Sequence, residues 1–189
     1  QHPLSNRAAR EIYPPGSTFK LVTAAAALAD GKTPDSTVES PDRLKLPNTQ
    51  VFLPNSTNCG GTKITISQAL KVSCNTAFAN LGLELGQDKL REQAQAFGFD
   101  QRHLADLGGV ASQFPDKLNK AQLALSSIGQ YDVAASPLQM AMVSAAIAND
   151  GVLMDPYVVS SVRAHDLKQI ETHEPQVLSK AMTPENARE

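Results

Sequence analysis

Tyr13-Pro14-Pro15-Gly16-Ser17-Thr18-Phe19-Lys20 runs directly into an apolar, alanine-rich stretch that ends at Leu28. Two prolines and a glycine turn the chain, and the residues after them predict a helix from about Ser17 to Leu28, stopped by Asp30-Gly31. Alanines at its crowded positions predict close packing on all sides, without a solvated face. Ser17 and Lys20 stand three positions apart, so in a helix they share one face, with Cβ atoms about 5–6 Å apart. A lysine there can take the serine proton if burial or neighbouring donors suppress its charge. The helix start adds free backbone N–H groups and partial positive charge, which favour an anion forming over Ser17. The same tetrapeptide also occurs in ordinary surface helices with serine near the N-cap. A second element has to decide between the two.

Ser73-Cys74-Asn75 supplies it, lying between two amphipathic segments, Thr65 to Val72 and Thr76 to Leu85. Thr65 and Gln68 have capping-box spacing and predict the start of the first; Gly86 ends the second. A tight corner between helices can present a hydroxyl and an amide together. The hydroxyl donates and accepts, so it can relay a proton to a leaving amine, while the amide can hold a substrate carbonyl and a lysine amine. Without the upstream serine and lysine, Ser73 and Asn75 would read as helix caps only.

Together the two elements resemble the S-x-x-K and S-x-N boxes of penicillin-interacting serine acyltransferases, with Cys74 in the middle of the second. The surroundings resemble class B penicillin-binding proteins, and among them the actinobacterial penicillin-binding protein A group. Asn6-Arg7-Ala8 and Tyr13 to Lys20 resemble the active-site box and its approach. Ser73 to Phe78 resembles the second box; Ser127-Ile128-Gly129-Gln130 and Ala135 to Ala141 resemble the start of a later helix, and Ala146 to Val152 its end. The resemblance runs from about Asn6 to Tyr157, and weakly through the final helix.

That resemblance implies a peptidoglycan D,D-transpeptidase acting through an acyl-serine and acylated by β-lactam antibiotics. Its catalytic set would be Ser17, Lys20, Ser73 and Asn75, with Ser17 and Asn75 also binding substrate. It implies no metal or organic cofactor. Its partners would be peptidoglycan stem peptides, β-lactams and cell-division proteins, in an extracytoplasmic protein held at the membrane by an anchor outside this chain. Three other readings compete: a β-lactamase, a non-hydrolysing β-lactam sensor, and an inert structural module. Against the β-lactamase, the loop before Lys120 offers Asp116 and Asn119 but no glutamate. Against the module, a scaffold has no use for all four polar side chains.

One departure matters. No Lys-Thr-Gly triplet occurs: Lys32-Thr33 is followed by Pro34, and Gly61-Thr62-Lys63 runs in the wrong order. In the family that box lies on a strand after the helical region. The expected fold is therefore a mostly α fragment with short β-hairpins, the helical portion of the α/β transpeptidase fold with its central sheet incomplete. Residues 1–189 are expected to be a partial transpeptidase domain, lacking early sheet strands and the later Lys-Thr-Gly strand, and incomplete as a catalyst.

Composition narrows the field less. With 189 residues, a net charge of −2 and no basic stripe, nucleic-acid binding is not expected. No apolar run approaches the roughly 20 residues that span a bilayer. Cys59 and Cys74 fit no zinc spacing. They are two free thiols or a disulfide, and the oxidising setting implied by the resemblance favours the bridge. The four histidines, His2, His103, His165 and His173, lie outside the boxes and are expected at the surface.

Punctuation supplies the remaining elements. A small surface hairpin is expected between Ser36 and Pro54, from pieces at Thr37–Glu39, Arg43–Leu46 and Val51–Leu53. Helices follow at about 65–72, 75–85, 88–97 and 120–127, with an irregular loop from Asp100 to Asn119. Ser136-Pro137 and Gly151 bracket another helix, Tyr157–Val162 is a strand candidate, and Thr183-Pro184-Glu185 begins a last helix.

Overall fold

The computed structural model describes residues 6–189. A short helix, α1 (Arg7–Arg10), leads to the proline turn, and the serine-bearing segment Gly16–Phe19 is one turn of 3₁₀ helix. Lys20 then opens α2 (Lys20–Ala29). The predicted first helix is thus present, but its first turn is wound more tightly than an α-helix. α2 is buried nearly all round: Val22 and Ala27 are fully buried, and Ala25 and Ala26 are 2% and 3% exposed. Small side chains let its neighbours approach closely, which is what the alanine run predicts.

Those neighbours are α3 (Ile66–Lys71), α4 (Asn75–Leu85) and α5 (Gln87–Ala96), all packed on α2. α6 (Lys120–Ser126) lies on α4. Gly82 permits that contact, since a Cβ there would fall 1.7 Å from Ser127 Oγ. α7 (Pro137–Ala148) is capped by Ser136, whose hydroxyl accepts from the Gln139 N–H, and α8 (Pro184–Arg188) is capped in the same way by Thr183. Thr65 caps α3 by accepting from the Gln68 N–H at 3.1 Å.

Strands are short and pair only in twos. β1 (Thr37–Glu39) runs antiparallel to β4 (Lys63–Thr65), with Val38 opposite Ile64 and both buried. β2 (Arg43–Lys45) and β3 (Phe52–Pro54) make the expected hairpin. β5 (Val152–Met154) pairs with β8 (Val177–Lys180), and β6 (Ser161–Arg163) with β7 (Gln169–Thr172). The chain is mostly helical with small antiparallel pairs, as its sequence predicts, and among the described residues no sheet exceeds two strands.

Three expectations need correction. Thr37–Glu39 is not part of the hairpin; it pairs with a strand more than 20 residues on, a long-range contact that local alternation does not encode. The strand candidate Tyr157–Val162 becomes β6 at Ser161–Arg163, because Tyr157 turns aside to stack on His173, with ring centroids 4.0 Å apart. His103 is not at the surface: it is 6% exposed, and its Nε2 pairs with the Gly98 carbonyl at 2.9 Å. His165 is exposed, His173 is half-buried, and His2 lies outside the described residues.

Phe19 ties the turn bearing Ser17 to the core. It is fully buried, edge-on to Phe99 at 5.6 Å and stacked on Phe114 at 5.8 Å. No helix among the described residues is long and apolar enough to cross a membrane.

Candidate active site

The turn bearing Ser17 is shaped from behind. Gly16 adopts a positive φ of 56°, and its N–H donates to the Gly129 carbonyl at 2.9 Å. Gly129, also at positive φ (70°), presses so closely that a Cβ there would stand 2.2 Å from the Gly16 oxygen. Thr23, one turn beyond Lys20, donates its hydroxyl to the Ser127 carbonyl at 2.7 Å. The segment Ser127–Gly129, noted in the sequence as resembling a helix start, therefore buttresses the reactive turn. Ser17 itself is exposed, and the leading N–H groups of such a turn have no partner within the helix.

Behind the exposed hydroxyl, Lys20 is 1% exposed. Its Nζ lies 3.2 Å from Ser17 Oγ, 2.9 Å from Ser73 Oγ, 2.7 Å from the Ser73 carbonyl and 2.7 Å from Asn75 Oδ1. The Phe78 ring centroid is 5.8 Å away on another side. None of the ion pairs among the described residues includes Lys20. Burial without a counter-charge penalises the ammonium and lowers the Lys20 pKa to about 8.

The contacts also accommodate the neutral amine. The Ser73 carbonyl and Asn75 Oδ1 can only accept. They take two of its N–H bonds, and the hydroxyls of Ser17 and Ser73, which can donate or accept, can meet its lone pair. The Asn75 amide has one sensible orientation, because its Nδ2 donates to the Pro54 carbonyl at 3.1 Å.

Ser73 sits in an unusual backbone state. α3 ends in a Schellman motif: the Ser73 N–H donates to the Leu70 carbonyl and the Cys74 N–H to the Ala69 carbonyl. Ser73 occupies the left-handed position, with φ at 56°, where glycine is usual. A serine there stores about 1 kcal/mol of backbone strain. In exchange, one residue presents both a carbonyl and a hydroxyl to the same amine. Cys74 is fully buried and bonded to Cys59, closing the loop across 15 residues. The structure thus brings Ser17, Lys20, Ser73 and Asn75 to one point, with the Cys59–Cys74 bridge beside them.

The sequence did not single out Asn55, and it marked Phe78 and Gly129 only as parts of matching stretches, without a role; all three touch this cluster or its supports. Nothing local marks Asn55, which directly follows the hairpin and finds its partner, Thr76, 21 residues on. Of the two polar residues noted in the loop before α6, one is tied into a helix cap and the other is exposed. Asn119 forms a capping box with Gln122 at the start of α6, and Asp116 lies 3.5 Å from Arg91. Among the described residues no cluster of three or more histidine, cysteine or carboxylate side chains could hold a metal.

The family described as penicillin binding protein transpeptidase domain matches residues 1–189. The chain is 46% identical to peptidoglycan D,D-transpeptidase PbpA of Mycolicibacterium smegmatis over 99% of its length, covering 39% of that protein. It is 41% identical to PbpA of Mycobacterium tuberculosis, with 98% and 38% covered. Among solved structures it is similar to penicillin-binding protein A from M. tuberculosis as a ceftriaxone acyl-enzyme complex, with a TM-score of 0.94 at 41% identity, covering 98% of this chain and 42% of that one. The D,D-transpeptidase domain of a peptidoglycan glycosyltransferase from Eggerthella lenta superposes with a TM-score of 0.90 at 35% identity, with 99% and 49% covered. The chain therefore spans about two fifths of the length of the curated PbpA relatives.

Proposed function

The chain belongs to the penicillin binding protein transpeptidase domain family, and from that premise we propose that it carries the acylating machinery of a peptidoglycan D,D-transpeptidase. The observation that supports this most is the buried Lys20 amine, without a counter-charge and with Ser17 Oγ at 3.2 Å. Ser17 Oγ attacks the carbonyl carbon of the penultimate D-alanine of a stem peptide, and its proton passes to Lys20 Nζ. The amide C–N bond breaks as Ser73 relays a proton to the departing D-alanine amine. Asn75 holds Lys20 and contacts the substrate amide. The Ser17 backbone N–H supplies part of the oxyanion hole. An amine on a neighbouring stem then attacks the acyl-serine, giving the crosslink and releasing Ser17.

With a β-lactam the same attack opens the ring. The leaving nitrogen stays tethered to the acyl group, which blocks the acceptor and leaves the enzyme acylated. The lack of a glutamate in the loop before Lys120 supports acylation without fast hydrolysis. We place the reaction outside the cell membrane, in a longer protein whose anchor, remaining sheet strands and Lys-Thr-Gly strand lie beyond residues 1–189, working beside cell-division proteins. The test is covalent labelling by a fluorescent penicillin, in a version of the protein extended to the length of its PbpA relatives. Label that is stable, adds one penicillin mass and is lost in Ser17→Ala supports the proposal. Failure of the wild type to label, or labelling that persists in Ser17→Ala, sinks it.

A further inference from the structure

We infer that Asn55 is a positioning residue for acylation, acting as a helix cap supplied from outside the helix and holding the Ser73–Asn75 corner in register with Lys20. The inference rests on the transpeptidase reading of that corner. Helix α4 begins immediately after Cys74, whose sulfur is bonded to Cys59 and makes no cap for the helix. A helix start leaves its first N–H groups without partners. Here the Thr76 N–H donates to Asn55 Oδ1 at 2.9 Å, the bond an N-cap side chain would normally make.

The rest of the Asn55 amide is fully used. Its Nδ2 donates to Thr76 Oγ1 at 3.0 Å and to the Pro41 carbonyl at 3.0 Å. Thr76 is itself completely buried, and its hydroxyl donates onward to the Pro41 carbonyl at 2.8 Å. The residue before Asn55 completes the grip, because the Pro54 carbonyl accepts from Asn75 Nδ2. Two consecutive residues at the end of β3 therefore hold the two consecutive residues that open α4. The first bond sets which end of the Asn75 amide faces Lys20; the second sets where the helix start lies. Thr57, whose hydroxyl donates to the Val72 carbonyl at 2.9 Å, fastens the same strap on the other side of Ser73.

Removing the Asn55 side chain would leave the Thr76 N–H and Oγ1 short of partners in a buried place. The local remedy is a shift of the first turn of α4, which moves Asn75 Oδ1 off Lys20. The disulfide and the core would remain. The hydrogen bonds of the Asn55 side chain go to Pro41, Asp42 and Thr76 and none to Lys20 or Ser17, so its influence runs through Asn75.

Stopped-flow acylation by a fluorescent penicillin tests this in the extended protein. Asn55→Ala is expected to lower the acylation rate constant about tenfold, with pre-acylation affinity within twofold of wild type and the full protein amplitude still labelled. A loss of folded protein alone would lower the amplitude and leave the rate constant unchanged. In an Asn75→Ala background, Asn55→Ala should add less than twofold. Asn55→Asp keeps the acceptor for the Thr76 N–H and should recover part of the rate; it also serves as the comparison if the alanine variant does not fold. An unchanged rate constant in Asn55→Ala overturns the inference, as does an Asn55→Asp rate no faster than that of Asn55→Ala or, where the alanine variant does not fold, a full tenfold below wild type. So does a full tenfold loss on top of Asn75→Ala. Wild-type protein that does not label at all would count against the transpeptidase reading instead.

Discussion

Ser73 meets Lys20 twice, through its carbonyl at 2.7 Å and its hydroxyl at 2.9 Å. The double contact depends on the left-handed backbone at Ser73. Glycine would adopt that conformation without strain, so Ser73→Gly is expected to leave stability equal or raise it by up to about 1 kcal/mol. It removes the relay hydroxyl, and acylation should fall by about 10²-fold or more. Thermal unfolding and penicillin labelling of one variant would show the two effects moving apart.

Lys20→Ala removes the proton acceptor and should lower acylation by about 10²–10⁴-fold. The helix should survive, since alanine is its commonest residue and the best helix former. Labelling at the wild-type rate in a folded Lys20→Ala protein would remove lysine from the role of base.

The pH dependence follows from a Lys20 pKa of about 8. Below it the neutral fraction, and with it the acylation rate, should rise about tenfold per pH unit, levelling off above about 8. Stability has the same sign. Between about 8 and the ordinary value of 10.5 the unfolded chain holds the proton that the folded protein has released. Unfolding then takes up a proton, so this group stabilises the fold progressively as pH rises through that window. Comparing unfolding of wild type and Lys20→Met across pH 7 to 10.5 isolates the contribution; parallel curves would contradict it.

Gly129→Ala should damage the site from behind. The new Cβ would press on the Gly16 oxygen at 2.2 Å and on Phe19 Cβ at 2.7 Å, at a positive φ. A loss of about 1–3 kcal/mol is expected, with displacement of Ser17 and slower acylation. Denaturant midpoints and labelling rates check both.

Breaking the Cys59–Cys74 bridge should lower stability by about 3 kcal/mol, the chain-entropy figure for a loop of this size. The measurement is the denaturant midpoint of the Cys59→Ala/Cys74→Ala protein against oxidised wild type. An unchanged midpoint would contradict the chain-entropy account of the bridge.

Much of the fold was legible locally. Ser136-Pro137, Thr183-Pro184 and Thr65 mark helix starts by side chains that accept from N–H groups three residues on. Such bonds join near neighbours, so residue type and spacing suffice to find them. The partner of Thr37–Glu39, the turning aside of Tyr157 toward His173 and the burial of His103 were not legible. Each depends on a surface contributed by a distant segment, and no local pattern records which segment that is.

The sequence by itself determined the pairing of Ser17 with Lys20, because three-residue spacing at a helix start places them on one face whatever surrounds them. It also determined the polar corner, because Ser73 and Asn75 flank one residue between two helices. Only the tertiary structure decided that these meet, that the Lys20 amine is buried without a counter-charge, and that Pro54, Asn55 and Gly129 hold the pieces in place. The proposed reactivity is a matter of desolvation and of oxygens aimed at Lys20 from two separate parts of the chain, the Ser17 turn and the Ser73–Asn75 corner. Both arise only when packing excludes water and fixes distances between residues far apart in sequence.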